Sequence, residues 1–237
     1  MVEAAVSASP VVCSPLPMNC TVIQPGRLRY EPAYQLQMQC VNSIKNNPHA
    51  PKAYLILLEH EPVLTLGRRT ADSELLVSRE WLQERGIEMH EIDRGGKITY
   101  HGPGQIVGYP IIPLLGERRD VYKYLRSLEQ IIITVLAGYG ISGTRNPEYT
   151  GVWVGDSKVA AIGIGLTRWI TFHGFALNVN TDLDAFSIIT PCGISGKGVT
   201  SMQKLLGREI PPAEIHGKLV EAFRDEFGFQ EMRESAD

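Results

Sequence analysis

The sequence is poor in cysteine and has no excess of positive charge. Its four cysteines, Cys13, Cys20, Cys40 and Cys192, are irregularly spaced without a CxxC pair, which argues against a zinc site and a disulfide framework. The formal net charge of −3 offers little of the counterion release that drives general nucleic-acid binding. No apolar run reaches the ~18 residues of a membrane span. We therefore expect a soluble, cytoplasmic protein that binds neither nucleic acid nor membranes.

Length and composition indicate one domain with a sizeable core. The chain has 237 residues, of which 43% are hydrophobic, and this is enough for one large domain. Residues 1–20 are rich in Ala, Ser, Pro and Val and contain no Lys or Arg, so they lack the charged start of a signal peptide. We expect a poorly ordered tail over 1–20 and a single domain over 21–237.

The order of helix and strand patterns predicts the fold class. The continuous apolar run at 53–59 is typical of a buried strand, and Asp120 is placed to cap a long helix over 121–139. From Thr150 onward the chain has short strand patterns separated by turns. This irregular alternation predicts an α+β domain with a mixed sheet and flanking helices.

A glycine-rich stretch, RGGKITYHGPGQ at 94–105, separates two strand-like runs. Glycine lets a ligand approach the backbone closely, and Arg94, Lys97 and His101 add charge and hydrogen-bonding capacity. This combination favours a binding loop over the simpler alternative, a tight turn between strands. Arg68 and Arg69, together with Arg94 and Lys97, are also candidates for a basic rim facing an acidic partner.

Cys192 and Lys158 are candidates for a nucleophile and a base. Cys192 lies between Pro191 and Gly193, on irregular backbone that would leave its thiol accessible, whereas a lone cysteine is more often a small buried hydrophobe. A thiol near pH 7 needs a nearby cation or base to become a good nucleophile. Lys158 opens an apolar strand pattern, where desolvation would favour the neutral amine, although most lysines are solvated. Sequence distance alone does not place the two side chains together.

Two histidines, His101 and His173, each adjoin a glycine and could orient a reacting group or be structural. The other histidines show no spacing with carboxylates that fits a metal site, so we predict no metal. The run from Gly193 to Gly198 fails the phosphate-loop pattern, because Pro191 stands at its first glycine position and Gly198 at its hydroxyl position. Nucleotide binding by such a loop is therefore not expected.

Five ordered motifs extend over the chain after its first twenty residues. They are HEPVLTLG at 60–67, RGGKITYHGPGQIVGYP at 94–110, GVWVGDSKVAAIGI at 151–164, FHGFALNVN at 172–180, and PCGI with GVTSM over 191–202. Together they resemble the lipoyl(octanoyl) transferase family, the octanoyl-[acyl-carrier-protein]:protein N-octanoyltransferases. This resemblance implies the α+β fold of the catalytic domains of biotin and lipoate protein ligases.

The resemblance also implies a reaction and its partners. Members of the family move an octanoyl group from octanoyl-acyl carrier protein to a specific lysine of a lipoyl domain, through a cysteine thioester, as the first step of protein lipoylation. The implied acceptors are lipoyl domains of 2-oxoacid dehydrogenases and the glycine cleavage H protein. No cofactor is implied, because the thioester donor already carries an activated acyl group.

Specific residues correspond to the family's functional positions. The family's nucleophile maps onto Cys192 and its dyad lysine onto Lys158, so 21–237 is expected to be the catalytic domain. The implied acyl-binding residues lie in three segments. They are Arg94, Gly95, Gly96, Lys97, Ile98, Thr99, Tyr100 and His101, then Ala161, Ile162 and Gly163, and finally Gly174, Phe175 and Ala176.

Three other functions stay open on the sequence alone. An ATP-dependent lipoate or biotin ligase of the same fold would activate a free acid as its adenylate. An amidotransferase would move acyl groups between lipoyl domains, also through cysteine. A non-catalytic module would bind the acyl group or its carrier protein, and would keep all of its activity after Cys192→Ala.

Overall fold

The computed structural model describes residues 18–47, 52–190 and 197–235. Cys13 and the expected nucleophile Cys192 lie outside these ranges.

The helices are α1 (Tyr30–Asn46), α2 (Arg79–Glu84), α3 (Val121–Ala137), α4 (Met202–Leu206) and α5 (Pro212–Phe227). The strands are β1 (Asn19–Leu28), β2 (Lys52–His60), β3 (Val63–Leu66), β4 (Glu88–Glu91), β5 (Ile98–His101), β6 (Gln105–Ile111), β7 (Thr144–Arg145), β8 (Val152–Val154), β9 (Ser157–Thr167), β10 (Ile170–Asn178), β11 (Gly198–Val199) and β12 (Glu231–Glu234).

The main sheet is mixed, as the sequence predicts. Its strand order is β12-β1-β2-β6-β10-β9-β8-β7, with β11 pairing β9. β1 pairs parallel with β2 and β12, and β11 pairs parallel with β9, whereas β6, β10 and β9 are antiparallel neighbours. The long β9–β10 hairpin runs from Thr167 opposite Ile170 to Ala160 opposite Leu177.

A second sheet, of three strands in the order β4-β3-β5, stands apart from the first. The glycine-rich stretch contributes β5 to it, with Thr99 opposite Thr65 and His101 opposite Val63 of β3. The predicted binding loop is therefore interrupted by a strand. Ile98, Thr99 and Tyr100 are residue types that favour strands, and pairing with β3 satisfies their backbone.

Helices cover both faces of the main sheet. Leu128, Ile132 and Leu136 lie one turn apart on α3 and pack in one core with Leu219 and Phe223 of α5. The carboxylate of Asp120 caps α3 by accepting from the backbone N–H of Lys123 at 3.0 Å, as predicted. On the opposite face, α1 packs its buried residues against β2, β6 and β10.

The described residues have no helix with both the length and the apolar character to cross a bilayer.

Candidate active site

A cavity of about 410 Å³ is lined by residues of both sheets, the glycine-rich stretch and the start of α1. Of the fourteen expected acyl-binding residues, all except Tyr100 line this cavity. They come together because β9 and β10 pair Ala161 with Ala176 and Gly163 with Gly174, while the stretch at 94–101 lies over them. Lys158 lines the same cavity.

Tyr100 is part of the packing beneath the cavity wall. Its side chain is buried in a separate hydrophobic cluster and meets the ring of Phe186 edge-on at 5.6 Å. Side chains alternate between the two faces of a strand, so Thr99 and His101, which line the cavity, face away from Tyr100. Its contribution is to hold β5 in place.

Lys158 is largely buried at the start of β9. Only 8% of the residue is exposed, and its Nζ lies 4.9 Å from the ring centroid of Trp153, a cation–π distance. The backbone N–H of Thr200 donates to the Lys158 carbonyl at 3.0 Å, and β11 pairs Val199 with Lys158. Of the two alternatives that the sequence leaves open for this lysine, solvated or desolvated, the structure shows the desolvated one.

A buried chain of hydrogen bonds begins at Arg94. Its Nη2 donates to the Thr65 carbonyl and to Thr65 Oγ1, both at 2.9 Å. The Thr65 hydroxyl lies 3.3 Å from His101 Nε2, and His101 Nδ1 lies 2.7 Å from Gln105 Oε1. A carbonyl oxygen can only accept, so His101 carries its hydrogen on Nδ1 and Nε2 accepts from Thr65. His101 is thus held as one neutral tautomer.

The same chain continues from Gln105 to Thr200, the residue after β11. Gln105 Nε2 donates to Asn178 Oδ1 at 2.9 Å, and Asn178 Nδ2 donates to the Thr200 carbonyl at 3.0 Å. Every donor in this polar chain points in the same direction, from Arg94 to Thr200. Hydrogen bonds aligned in this way polarise one another and fix their members in one arrangement.

Burial keeps the histidines of this region neutral. Desolvation lowers the pKa of His101 and that of His173 to about 3, and the pKa of His60 to about 4. The Nε2 of His60 lies 2.7 Å from the Tyr109 hydroxyl and its Nδ1 lies 3.0 Å from the Leu28 carbonyl. Because the carbonyl accepts, the Tyr109 hydroxyl must donate to His60 Nε2.

His173 has an unusual backbone. Its φ of 54° is in the left-handed region, which non-glycine residues rarely adopt. Its backbone N–H donates to Gln37 Oε1 at 2.8 Å, and its ring lies 4.8 Å from that of Phe172. The positive φ turns the imidazole toward α1 and the cavity, and the surrounding contacts hold it there.

Arg94 lies inside the protein, so it is not part of a basic rim. It is 7% exposed, and its guanidinium also donates to the Gly95 carbonyl at 3.1 Å. Of the other candidate rim cations, Arg68 pairs with Asp93 and Lys97 pairs with Glu74. Arg69 and Lys97 line the cavity.

Glu129 of α3 stabilises one border of the cavity, a role that was not predicted from the sequence. Its carboxylate is buried and accepts from Arg126 Nη1 at 2.6 Å, Arg145 Nε at 3.2 Å and the Gly151 N–H at 3.2 Å. These contacts anchor the loop before β8, of which residues 148–150 line the cavity. A lone glutamate within a helix pattern gives no sequence signal for this role. Thr65, Gln105 and Asn178 were also missed, although each lies within or beside a recognised motif.

The two cysteines that the structure describes are poor nucleophiles. Burial raises the pKa of Cys20 to about 12 and that of Cys40 to about 11. Neither residue lines the cavity. Because a nucleophilic cysteine reacts as its thiolate, these two are unsuited to the role that the sequence assigns to Cys192.

The arrangement suits the binding of an extended, mostly apolar chain beside an amine. Glycine and alanine residues of β9 and β10 form the floor of the cavity. Gly174 has no room for a side chain, because a Cβ there would collide with the carbonyl of Gly108 and with Pro110. Apolar side chains such as Ile98, Ile162 and Phe175 line the same cavity, and Lys158 supplies a primary amine to it. A cavity that combines apolar walls with convergent polar groups is typical of a small-ligand site.

Comparisons with known proteins agree with this description. The chain matches the lipoyl protein ligase A/B catalytic domain over residues 29–224. It is 50% identical over 206 residues to a protein named octanoyltransferase from Rubrobacter xylanophilus, covering 86% of this chain and 91% of that protein. It is 47% identical over 212 residues to one of the same name from Solibacter usitatus, covering 90% of this chain and 94% of that protein.

A solved structure shares the fold. It is that of a bi-partite lipoate protein ligase with its E2 lipoyl domain from Thermoplasma acidophilum, with a TM-score of 0.71 over 92% of this chain and 87% of that chain. At 15% identity the likeness is one of fold alone. It confirms the predicted α+β architecture.

Proposed function

Because this chain belongs to the lipoyl protein ligase A/B catalytic domain family, and within it to the octanoyltransferases, we propose that it transfers an octanoyl group from octanoyl-acyl carrier protein to a lysine of lipoyl domains. The proposed intermediate is an octanoyl thioester on Cys192. The proposed acceptors are the lipoyl domains of 2-oxoacid dehydrogenases and the glycine cleavage H protein. A cytoplasmic location and a single catalytic domain over 21–237 are proposed on the sequence.

One observation carries the proposal, namely the burial of Lys158 at the edge of a cavity with a glycine and alanine floor. The chain enters the Cys192 segment at Thr190, whose N–H donates to the Glu74 carbonyl at 2.8 Å. It leaves that segment at β11, where Val199 pairs with Lys158. Glu74 pairs with Lys97 of the cavity lining. Cys192 is therefore flanked in sequence by one residue bonded to a partner of Lys97 and one paired with Lys158, which supports the assignment of Cys192 and Lys158 as a dyad.

In the first half-reaction, Lys158 accepts the proton of the Cys192 thiol and the thiolate attacks the thioester carbonyl of the donor. The carbon–sulfur bond to Cys192 forms, the bond to the carrier's thiol breaks, and the departing thiolate takes the proton from Lys158. Backbone N–H groups beside Cys192 or in the stretch at 94–101 would stabilise the tetrahedral oxyanion.

In the second half-reaction, the amine of the acceptor lysine attacks the Cys192 thioester. Lys158 accepts a proton from that amine and returns it to the leaving sulfur, so the dyad is regenerated. Exchange of one thioester for another is nearly isoenergetic, and amide formation from a thioester is favourable, so the reaction requires no ATP. Burial of an eight-carbon chain would add about 5 kcal/mol of binding, at about 0.8 kcal/mol per CH₂.

The test is a transfer assay read by the mass of the acceptor. The chain is mixed with octanoyl-acyl carrier protein and a lipoyl domain without ATP, and we expect one octanoyl group on the acceptor lysine. A lipoyl domain with that lysine replaced by arginine is the control and should stay unmodified. Modification that requires free octanoate and ATP would identify a ligase instead, and modification only from an octanoylated lipoyl domain would identify an amidotransferase.

A further inference from the structure

We propose that Arg94, where its side chain crosses Gly163, sets the upper limit on the length of the acyl chain that this protein accepts. The inference rests on the proposed function, because it takes the cavity to be the acyl site. It adds the residue that ends the site and the reason why a longer chain is excluded.

Strand β9 provides a scale along the cavity floor. Strand residues advance about 3.3 Å each, so Ala161 lies about 10 Å and Gly163 about 17 Å along the strand from Lys158. An extended octanoyl chain measures about 9 Å from its carbonyl carbon to its methyl carbon, given carbon–carbon bonds of about 1.5 Å. An octanoyl thioester with its carbonyl beside Lys158 therefore ends just before Ala161, whereas a chain of fourteen carbons, about 17 Å long, would reach Gly163.

Arg94 closes the floor at Gly163. A Cβ built on Gly163 would lie 2.9 Å from Arg94 Cδ and 3.0 Å from the Gly95 carbonyl oxygen. The Gly95 N–H donates to the Ile164 carbonyl at 3.1 Å, which docks this segment on the edge of β9 beyond the end of its pairing with β8. From there the guanidinium reaches Thr65 in the second sheet. The Arg94 side chain thus spans the two sheets across the path of the chain.

The space past Arg94 is polar. His173 pairs with Ile164, one step beyond the Gly163–Gly174 pair, and Tyr30 and Tyr109 line the cavity with it. Among the residues that the structure describes, the buried Tyr30 hydroxyl and His173 Nε2 have no hydrogen-bond partner. Methylene groups pushed against them would cover polar atoms that need hydrogen bonds.

Both features act on longer chains and leave an octanoyl group unaffected. A chain of fourteen carbons or more would have to displace the Arg94 stem, which its hydrogen bonds to Thr65 hold in place, and would then lie against Tyr30 and His173. A chain of eight carbons ends before either obstacle. Packing limits of this kind give discrimination of about 10-fold to 200-fold per small group.

The test is a profile of acylation rate against chain length, measured by intact mass with carrier-protein thioesters of eight, ten, twelve and fourteen carbons. For the unaltered protein we expect tetradecanoylation to be at least about tenfold slower than octanoylation. Arg94→Ala should raise the tetradecanoyl-to-octanoyl ratio by about tenfold or more, and Tyr30→Phe should raise it less. Gly163→Ala should lower this ratio, because it adds a methyl group beside the Arg94 stem.

Two variants serve as matched controls. Gly217→Ala adds a methyl group at an exposed helix position with nothing within 4 Å, and Arg85→Ala removes an arginine outside the cavity. Both should keep the unaltered profile. Should Arg94→Ala fail to fold, Gly163→Ala and Tyr30→Phe decide the question by their opposite shifts.

The outcomes separate the two proposals. If the unaltered protein is octanoylated but Arg94→Ala, Gly163→Ala and Tyr30→Phe keep its length profile, the role of Arg94 is wrong and the proposed function stands. If the unaltered protein is acylated by no donor of any length, the proposed function is wrong and this inference falls with it.

Discussion

The backbone N–H of Thr200 donates to the carbonyl oxygen of Lys158 at 3.0 Å, while the Thr200 carbonyl accepts from Asn178. Thr200, eight residues after Cys192 in the sequence, is therefore fixed to the strand that carries the expected base and to the polar chain from Arg94. Pairs of reacting groups need placement within a few tenths of an ångström. These two bonds fix a residue that is close in sequence to Cys192 beside the strand of Lys158, its proposed partner.

Replacement of Lys158 should slow acylation without unfolding the protein. Lys158→Met keeps the length of the stem and its contact with Trp153 but removes the amine. Since general-base assistance typically contributes about 10²-fold to 10⁴-fold, we expect the acylation rate to fall by that range and the melting temperature to change little. Stopped-flow acylation and a thermal melt measure the two quantities. An unchanged rate would exclude Lys158 from the mechanism, and Lys123→Met on the exposed side of α3 is the control.

Replacement of His101 should affect stability through its two partners. His101→Phe leaves the Thr65 hydroxyl and the Gln105 carbonyl without their partner, and each such loss costs about 1–3 kcal/mol. We expect the free energy of unfolding to fall by about 2–4 kcal/mol in chemical denaturation. A double-mutant cycle with Thr65→Val checks the cause, because the two changes should be non-additive. Strict additivity would contradict the polar chain.

The buried histidines predict loss of stability in acid. Burial lowers the pKa of His60 from the ordinary 6.5 to about 4, and the pKa of His101 and of His173 to about 3. Between pH 6.5 and these values the unfolded chain binds protons that the folded chain does not, so stability falls as the pH falls through this window.

Denaturation at pH 7, 6, 5 and 4.5 measures the effect. We expect a flat curve above about pH 6.5 and a slope below it on the order of 1 kcal/mol per pH unit for each histidine. His101→Phe lacks one of the three groups and should show a shallower slope. Equal stability at pH 7 and pH 5 would show that these histidines are not held neutral.

Glu129 should be needed for the loop that borders the cavity. Glu129→Ala leaves Arg126 and Arg145 without their shared carboxylate and the Gly151 N–H without an acceptor. Removing one partner of a buried ion pair typically costs about 3–5 kcal/mol, so a large drop in melting temperature is expected. Glu117→Ala, at an exposed position, is the control, and equal effects of the two changes would contradict this role.

Local sequence patterns sufficed for the main elements. The apolar run at 53–59 became β2, Asp120 caps α3 as expected, and the hairpin patterns after Thr150 became β8, β9 and β10. Each of these depends on periodicity or on a cap within one segment, which is why the sequence alone predicts them.

Contacts between segments that are distant in the chain could not be predicted from the sequence. Neither the pairing of β5 with β3 nor that of β11 with β9 has a local signal, because short strands are decided by what they meet. That Tyr100 faces away from Thr99 and His101 follows from strand alternation, which appears only when 98–101 is known to be a strand. Arg94 looked like a surface cation and proved to be a buried link between two sheets, since its partner Thr65 lies 29 residues earlier.

The most direct measurement is the intact mass of the protein after mixing with octanoyl-acyl carrier protein in the absence of ATP. The account predicts a single octanoyl adduct that hydroxylamine removes, that peptide mapping assigns to Cys192, and that persists in a Cys40→Ala control but is absent from Cys192→Ala. An adduct that survives in Cys192→Ala, or that forms only when ATP is added, would contradict it.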